Sequence, residues 1–298
     1  MITGDISHFI PEKDFRIAFF TDGHDGNIAA SDPAKDKAVN YVKNRKDMYW
    51  GASGDMCDCI NVLDPRYDPA ITKGKAALID LQVKHVAKVF RPIAKRCLWW
   101  GLGNHEMTGA IKYTTDPAAR IQEKLRINVP CAFDMKLKIT DKCNGLITHG
   151  DFIPRSMAGD PDQIAMNDGI SMKRKLRAIP GSGDCHFMQC GHGHRLIQRS
   201  PVDRLYVSGM GELSSNYVSR FHTKTGEVHP DSRFYFMSGG FMRTVHVTEW
   251  DSKAKPGEGN IGNVTTYSER RCYGSSDIGF YVGHFVNNTL DRIEEVRL

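Results

Sequence analysis

Apolar and polar positions in this 298-residue chain fall into a repeated pattern, a short hydrophobic run followed by a polar cluster. "RIAFFT" at 16–21 ends in "DGHDGN", which predicts a buried strand delivering polar side chains at its C-terminal end. A helix is predicted to follow from Ser31 or Asp32 to about Arg45, because Ser and Asp cap helices well and Pro33 suits a first turn. The strand pattern then recurs: "MYWGAS" runs into "GDMCD", "CLWWGL" into "GNHE", "GLIT" into "HGDF" and "CHFMQC" into "GHGH". Within residues 75–96, Ile79, Val83, Val86, Phe90 and Ile93 share one helical stripe, and Pro92 is expected to distort the last turn. On a strand, Trp99 and Trp100 must face opposite sides.

Strand, helix, strand alternation over the first hundred residues predicts an α/β core with strands buried on both faces. Ligands of such sheets gather at the C-terminal strand ends. Later runs, "FDMKLKIT", "RLIQRS", "RLYVSG", "RFYFMSGG" and "MRTVHVTEW", predict short antiparallel strands. A helix is predicted over 165–178, inside a Gly- and Pro-rich stretch, 150–184, that is a candidate lid; residues 251–264 read as a surface loop. The chain reads as one domain, 1–298, with 234–298 as a β-rich C-terminal extension.

Composition narrows this only slightly. A net charge of +5 tolerates anionic substrates without requiring nucleic acid. The eight cysteines form no CxxC pair, which argues against a disulfide framework or a zinc ribbon and for reduced thiols in a cytoplasm. No stretch reaches the roughly eighteen apolar residues of a membrane span, so no membrane association is expected.

The polar clusters carry the chemistry: Asp22 and His24, then Asp55 and Asp58, then Asn104, His105 and Glu106, then His149, then His192 and His194. Carboxylates and imidazoles converging from several strand ends suit a metal site, and this donor mix favours Mn²⁺, Fe or Zn²⁺ over Mg²⁺ alone. "CGHGHR" by itself reads either as one end of a zinc clip or as part of a larger site. Cys57 and Cys59 read as small buried residues, since CxC lacks zinc spacing.

In order, these clusters match DxH, GDxxD, GNH(D/E), H and GHxH, and the chain thereby resembles the calcineurin-like metallophosphoesterases over residues 22–194. The resemblance implies a four-layer α/β/β/α sandwich and two divalent ions, Mn²⁺ first, with Fe, Zn²⁺ or Ni²⁺ as alternatives. It implies that Asp22, His24 and His194 hold one ion, Asn104, His149 and His192 the other, and that Asp55 bridges both. It further implies a metal-bridging hydroxide as nucleophile, His105 as general acid and Asp58 as the residue orienting it. Cys190 then drops out of the ligand set, and the glycines around His192 are expected to give the backbone path that sends the two imidazoles to different ions.

The phosphate-gripping Arg of the phosphoprotein phosphatase branch is replaced by Cys59. With the mildly basic charge, this favours a phosphodiester substrate, DNA, RNA or a nucleotide. The alternatives are a phosphomonoesterase acting on a small molecule or phosphoprotein, and a non-catalytic metal-containing binding module. "FMSGGFMRTV" and "TYSERRCYGSSDIGF" resemble C-terminal segments of phosphoesterases encoded by bacteriophages and prophages, which would place the protein in a host cytoplasm. On that likeness Arg243, Tyr267, Glu269, Arg270 and Tyr273 would either shape the substrate side of the cleft or serve as sheet and loop residues of the sandwich. "MKRKLR" at 172–177 reads either as a steering patch for polyanions or as a solvated helix face.

Overall fold

The structure, a computed structural model, describes residues 1–62, 64, 67, 79–202, 226–243 and 276–298. One sheet holds β2 (Phe15–Phe20), β3 (Met48–Ser53), β4 (Cys97–Gly101), β10 (Gly279–Val286) and β11 (Thr289–Arg297), in the order β11-β10-β2-β3-β4. The other holds β1 (Ile2–Asp5), β5 (Asp134–Thr140), β6 (Cys143–Thr148), β7 (Phe187–Cys190), β8 (Ile197–Arg199) and β9 (Phe234–Met237), in the order β1-β5-β6-β7-β9-β8.

Side-chain alternation explains how the sheets stack. Ile17 and Phe19 of β2 pack with Trp99, Phe187 and Phe236 in an apolar layer between the two sheets. Ala18 and Phe20 face the other way, with Trp50 and Trp100, toward α1 (Asp32–Lys43), α2 (Ile79–Phe90) and α4 (Pro117–Leu125). Trp99 and Trp100 therefore do point to opposite faces. On the outer face of the second sheet, Leu146, Met188, Cys190 and Tyr235 pack with Met172 and Leu176 of α5 (Pro161–Arg177). The result is the four-layer α/β/β/α sandwich. Each fully buried large apolar side chain contributes about 1.5–3 kcal/mol by leaving water.

The predicted helices appear with adjusted ends. Ser31 caps α1, its hydroxyl accepting from the Ala34 N–H, and Pro33 lies in the first turn. After α2 the chain tightens at Pro92 into a 3-10 helix, Arg91–Arg96. α5 starts four residues before the predicted Ala165 because Asp160 supplies the cap at Gln163 N, 2.8 Å away. That helix lies in the candidate lid stretch, and its buried residues form the outer layer of the sandwich. α3 (Asn104–Tyr113), α4 and β1 have no predicted counterpart.

Of the described strands expected to be antiparallel, β8 pairs antiparallel with β9, whereas β5 is antiparallel to β6 but parallel to β1, and β9 is parallel to β7. β7 lies parallel to both β6 and β9. Residues 234–298 enter both sheets: β9 joins the second, and β10 pairs directly with β2 in the first. All of "RLYVSG", most of "MRTVHVTEW", the 251–264 loop, and Tyr267, Glu269, Arg270 and Tyr273 lie outside the described residues. Among those described, no helix is long and apolar enough to cross a membrane.

Candidate metal centre

Strands β2, β3, β4, β6 and β7 all end at one edge of the sandwich, and each predicted polar cluster lies in the residues that follow. Two loops are stitched together there. His24 N–H donates to the Asp55 carbonyl (2.8 Å), Asp25 N–H to that of Met56 (3.0 Å) and Asp58 N–H to that of Asp25 (3.0 Å). Asp22, His24, Asp55, His192 and His194 all adopt left-handed backbone conformations, with φ of 53°, 41°, 52°, 64° and 50°. Each such non-glycine residue costs on the order of 1–3 kcal/mol and persists only where surrounding contacts over-determine it.

Among the described residues the ligand-type atoms form four groups: Asp22, His24 and His194; Asp55, His149 and His192; His24, Asp55 and His105, which overlaps the first two; and Asp25, Asp32 and His85, apart from the motif residues. Within each group the atoms lie within 4.8 Å of one another. In the first, Asp22 Oδ1 lies 3.6 Å from His24 Nε2 and 3.5 Å from His194 Nε2. Thr21 Oγ1 (2.9 Å) and the His192 N–H (2.9 Å) occupy Asp22 Oδ2. Asp22 Oδ1 and His24 Nε2 are buried without a hydrogen-bond partner. Buried polar atoms are rarely left that way, and an acceptor oxygen facing imidazole nitrogens is the arrangement a cation completes.

In the second group, Asp55 Oδ2 lies 3.0 Å from His149 Nε2, and Asn104 Oδ1 lies 3.2 Å from His149 Nε2 and 3.0 Å from His192 Nδ1. His149 Nδ1 sits 3.0 Å from the Ser53 carbonyl, an acceptor only, so the proton belongs on Nδ1 and the Nε2 lone pair is available to an ion. Asp55 Oδ2 is also 3.9 Å from His24 Nε2, which puts this carboxylate between the first group and the second.

Charge and burial compete here. Burial opposes the His24 imidazolium, but the Asp22, Asp58 and Asp55 carboxylates overcome it and raise the group to about 10. Burial likewise opposes a charged His149, and Asp55 raises it to about 9. For His194 burial prevails over the attraction of Asp22 and lowers it to about 4. Burial would raise Asp22 and Asp55, yet the surrounding histidines hold both well below the carboxylate range.

His105 and Asp58 meet through both the main chain and the carboxylate of Asp58. His105 Nδ1 lies 2.5 Å from the Asp58 main-chain carbonyl oxygen and 3.5 Å from the carboxylate Oδ1. That Oδ1 is 3.1 Å from His24 Nδ1. The other edge of the His105 ring faces the cluster, with Nε2 4.0 Å from Asp55 Oδ2.

One feature differs from the sequence reading. The left-handed turns around "GHGH" fall on His192 and His194 themselves, not on the glycines. Gly191 and Gly193 are required by close approach: a Cβ there would lie 2.1 Å from Thr21 Oγ1 and 2.3 Å from Met237 Sδ. Glu106, a member of the third polar cluster, is fully buried in the first turn of α3. Its carboxylate accepts from the N–H groups of Asp55 (2.8 Å), Cys57 (2.9 Å) and Gly103 (3.0 Å). Burial and the nearby Asp55 charge push it up to about 7, against those donors. A glutamate three residues after a helix-capping position was the available signal. Cys57, Cys59 and Cys190 are buried free thiols apart from these groups. Arg243 is exposed, its N–H bonded to the Ala29 carbonyl.

No protein-family model matches the chain. No curated protein sequence matches it either. Among solved structures, the phosphoesterase YfcE from E. coli aligns at 13% identity over 95% of this chain and 99% of its own, with a TM-score of 0.39. The purple acid phosphatase PPD1 of yellow lupin aligns at 11% identity over 95% of this chain and 54% of its own, TM-score 0.43. Vps29 from Chaetomium thermophilum aligns at 11% identity over 95% and 97%, TM-score 0.39.

Proposed function

We propose that this chain is a dinuclear metal-dependent phosphoesterase of the calcineurin-like type, acting on a phosphodiester such as a nucleic acid or nucleotide. The observation that carries the reading is the pair of buried, unpartnered atoms, Asp22 Oδ1 and His24 Nε2, beside a second oxygen and nitrogen set centred on Asp55 Oδ2. Asp22, His24 and His194 hold one divalent ion, Asn104, His149 and His192 the other, and Asp55 serves both. The oxygen and imidazole donor set suits Mn²⁺, Fe or Zn²⁺. When bound, the ions supply Lewis acidity and an activated water for in-line displacement at phosphorus.

The chain's own groups do the rest. The Asp58 carboxylate and the Ser53 carbonyl fix the tautomers of His24 and His149, so that each presents Nε2 inward. The Asp58 carbonyl holds the His105 Nδ1–H, which leaves Nε2 to carry the proton given to the leaving oxygen. Glu106 anchors the main chain at Asp55 and thereby the bridging carboxylate.

The test is turnover of bis-p-nitrophenyl phosphate, p-nitrophenyl phosphate and labelled DNA by the Mn²⁺-loaded protein. Preferential cleavage of the diesters supports the reading. Cleavage of the monoester alone replaces it with a phosphomonoesterase, and inactivity on all three with two ions bound favours a binding module.

A further inference from the structure

Beside the metal-ligand cluster lies a cavity of about 200 Å³ between the ends of β5 and β6 and the C-terminal half of α5. It shares a wall with the cluster. Phe133 lines the cavity, and its ring meets the His149 ring edge-on, centroids 5.9 Å apart and planes at 77°. The Phe133 carbonyl also accepts the His149 N–H at 3.2 Å. Phe152 is a second lining ring, backed by the apolar layer of Leu146, Met188 and Cys190. Asp134, Asp151 and Lys175 supply charged groups around it.

These properties limit the occupant. The cavity is smaller than the roughly 300–1,000 Å³ that enclose a whole drug-sized ligand, so it suits one ring system of a larger molecule. Two carboxylates against one ammonium disfavour a phosphate. They suit a flat group that offers N–H donors to Asp134 and Asp151, takes a hydrogen bond from Lys175 and lies against phenylalanine rings.

We propose that this cavity is the subsite for a nucleobase of the substrate, with Phe133 and Phe152 as stacking surfaces and Asp134, Asp151 and Lys175 reading the base edge. The identity of the occupant rests on the phosphoester reading above. Lys175, the one residue of the basic 172–177 stretch in the cavity lining, thereby acts in recognition instead of general steering of a polyanion.

Two p-nitrophenyl esters with the same leaving group separate base recognition from chemistry: that of guanosine 5′-monophosphate and that of methyl phosphate. The expected result is a kcat/KM ratio favouring the guanosine ester by at least about fivefold, the low end of what stacking a base on an aromatic side chain contributes. Phe152→Ala should lower that ratio about five- to tenfold, and Asp151→Asn, an exposed and structurally mild change, should lower it as well. An unchanged ratio in both variants, or no preference in the native protein, overturns the proposal. If neither ester is turned over, the phosphoester reading falls. Saturable binding of guanosine, weakened by Asp151→Asn, then upholds the subsite alone, and absence of such binding overturns it too.

Discussion

The carboxylate of Asp58 is directed at His24: its Oδ1 lies 3.1 Å from His24 Nδ1, while His105 Nδ1 takes the Asp58 carbonyl oxygen at 2.5 Å. One residue thus orients an imidazole in each of two roles, through its side chain for His24 and its main chain for His105. Asp58→Ala removes the first contact and keeps the second. The expected outcome is a 10- to 100-fold loss of affinity for the ion at Asp22, His24 and His194, the usual range for a histidine-orienting partner. Metal titration by calorimetry checks it, and unaltered affinity with lost activity would return Asp58 to the role of a partner for His105.

His105 has a separate signature. Its Nε2 faces the cluster 4.0 Å from Asp55 Oδ2, in position to deliver a proton without being a ligand in the proposed set. His105→Ala should slow esters with poor leaving groups by about 10²- to 10⁴-fold, with a smaller effect on p-nitrophenyl esters, which need little protonation. Metal content should stay at two per chain. A fall to one would make His105 a ligand.

Glu106 connects the site to the fold. Three main-chain N–H groups converge on its two oxygens, and a glutamine side chain presents only one acceptor oxygen. Glu106→Gln is expected to destabilise the protein by about 1–3 kcal/mol, since at least one buried N–H would face an amide NH₂. At roughly 2–4 °C per kcal/mol for a domain of comparable size, Tm should fall by several degrees. Metal affinity should fall with it, because Asp55 N–H is one of the three donors. A thermal melt with and without Mn²⁺ reads both.

Much of this site was legible because its residues follow strands buried on both faces, where apolar runs stop abruptly at polar clusters. The order Asp22, Asp55, Asn104, His149, His192 therefore survived without any knowledge of pairing. Asn104 and His105 read only as a polar cluster after a strand, whereas they open α3, whose segment "NHEMTGAIKY" includes Thr and Gly and carries no clear apolar stripe. β1 is a largely exposed four-residue strand, too short and polar to show alternation. The parallel pairing of β7 with β9 depends on contacts between distant segments and has no local mark. The glycines of "CGHGHR" were noticed for backbone freedom, yet their cause is crowding by Thr21 and Met237, which are distant in sequence.

Stability should also respond to pH through His186, which precedes β7 at the end opposite His192. Burial pushes its pKa below the ordinary 6.5, and its Nδ1 accepts the Asn144 N–H at 3.1 Å, so the folded protein holds it neutral. The unfolded chain binds this proton first as pH falls, so the contribution is complete above about 6.5 and is lost progressively as pH falls through the lower folded value. Urea unfolding at pH 7.5 and 5.5 should show a smaller pH-dependent loss in His186→Gln than in the native protein. Equal losses would remove His186 from the account.

The most direct test of the dinuclear centre is metal stoichiometry by mass spectrometry after equilibration of the full chain with Mn²⁺ and removal of free ion. Two ions per chain in the native protein, falling to one or none in Asp55→Ala, is the predicted result. A native stoichiometry below two, or two ions retained by Asp55→Ala, would contradict it.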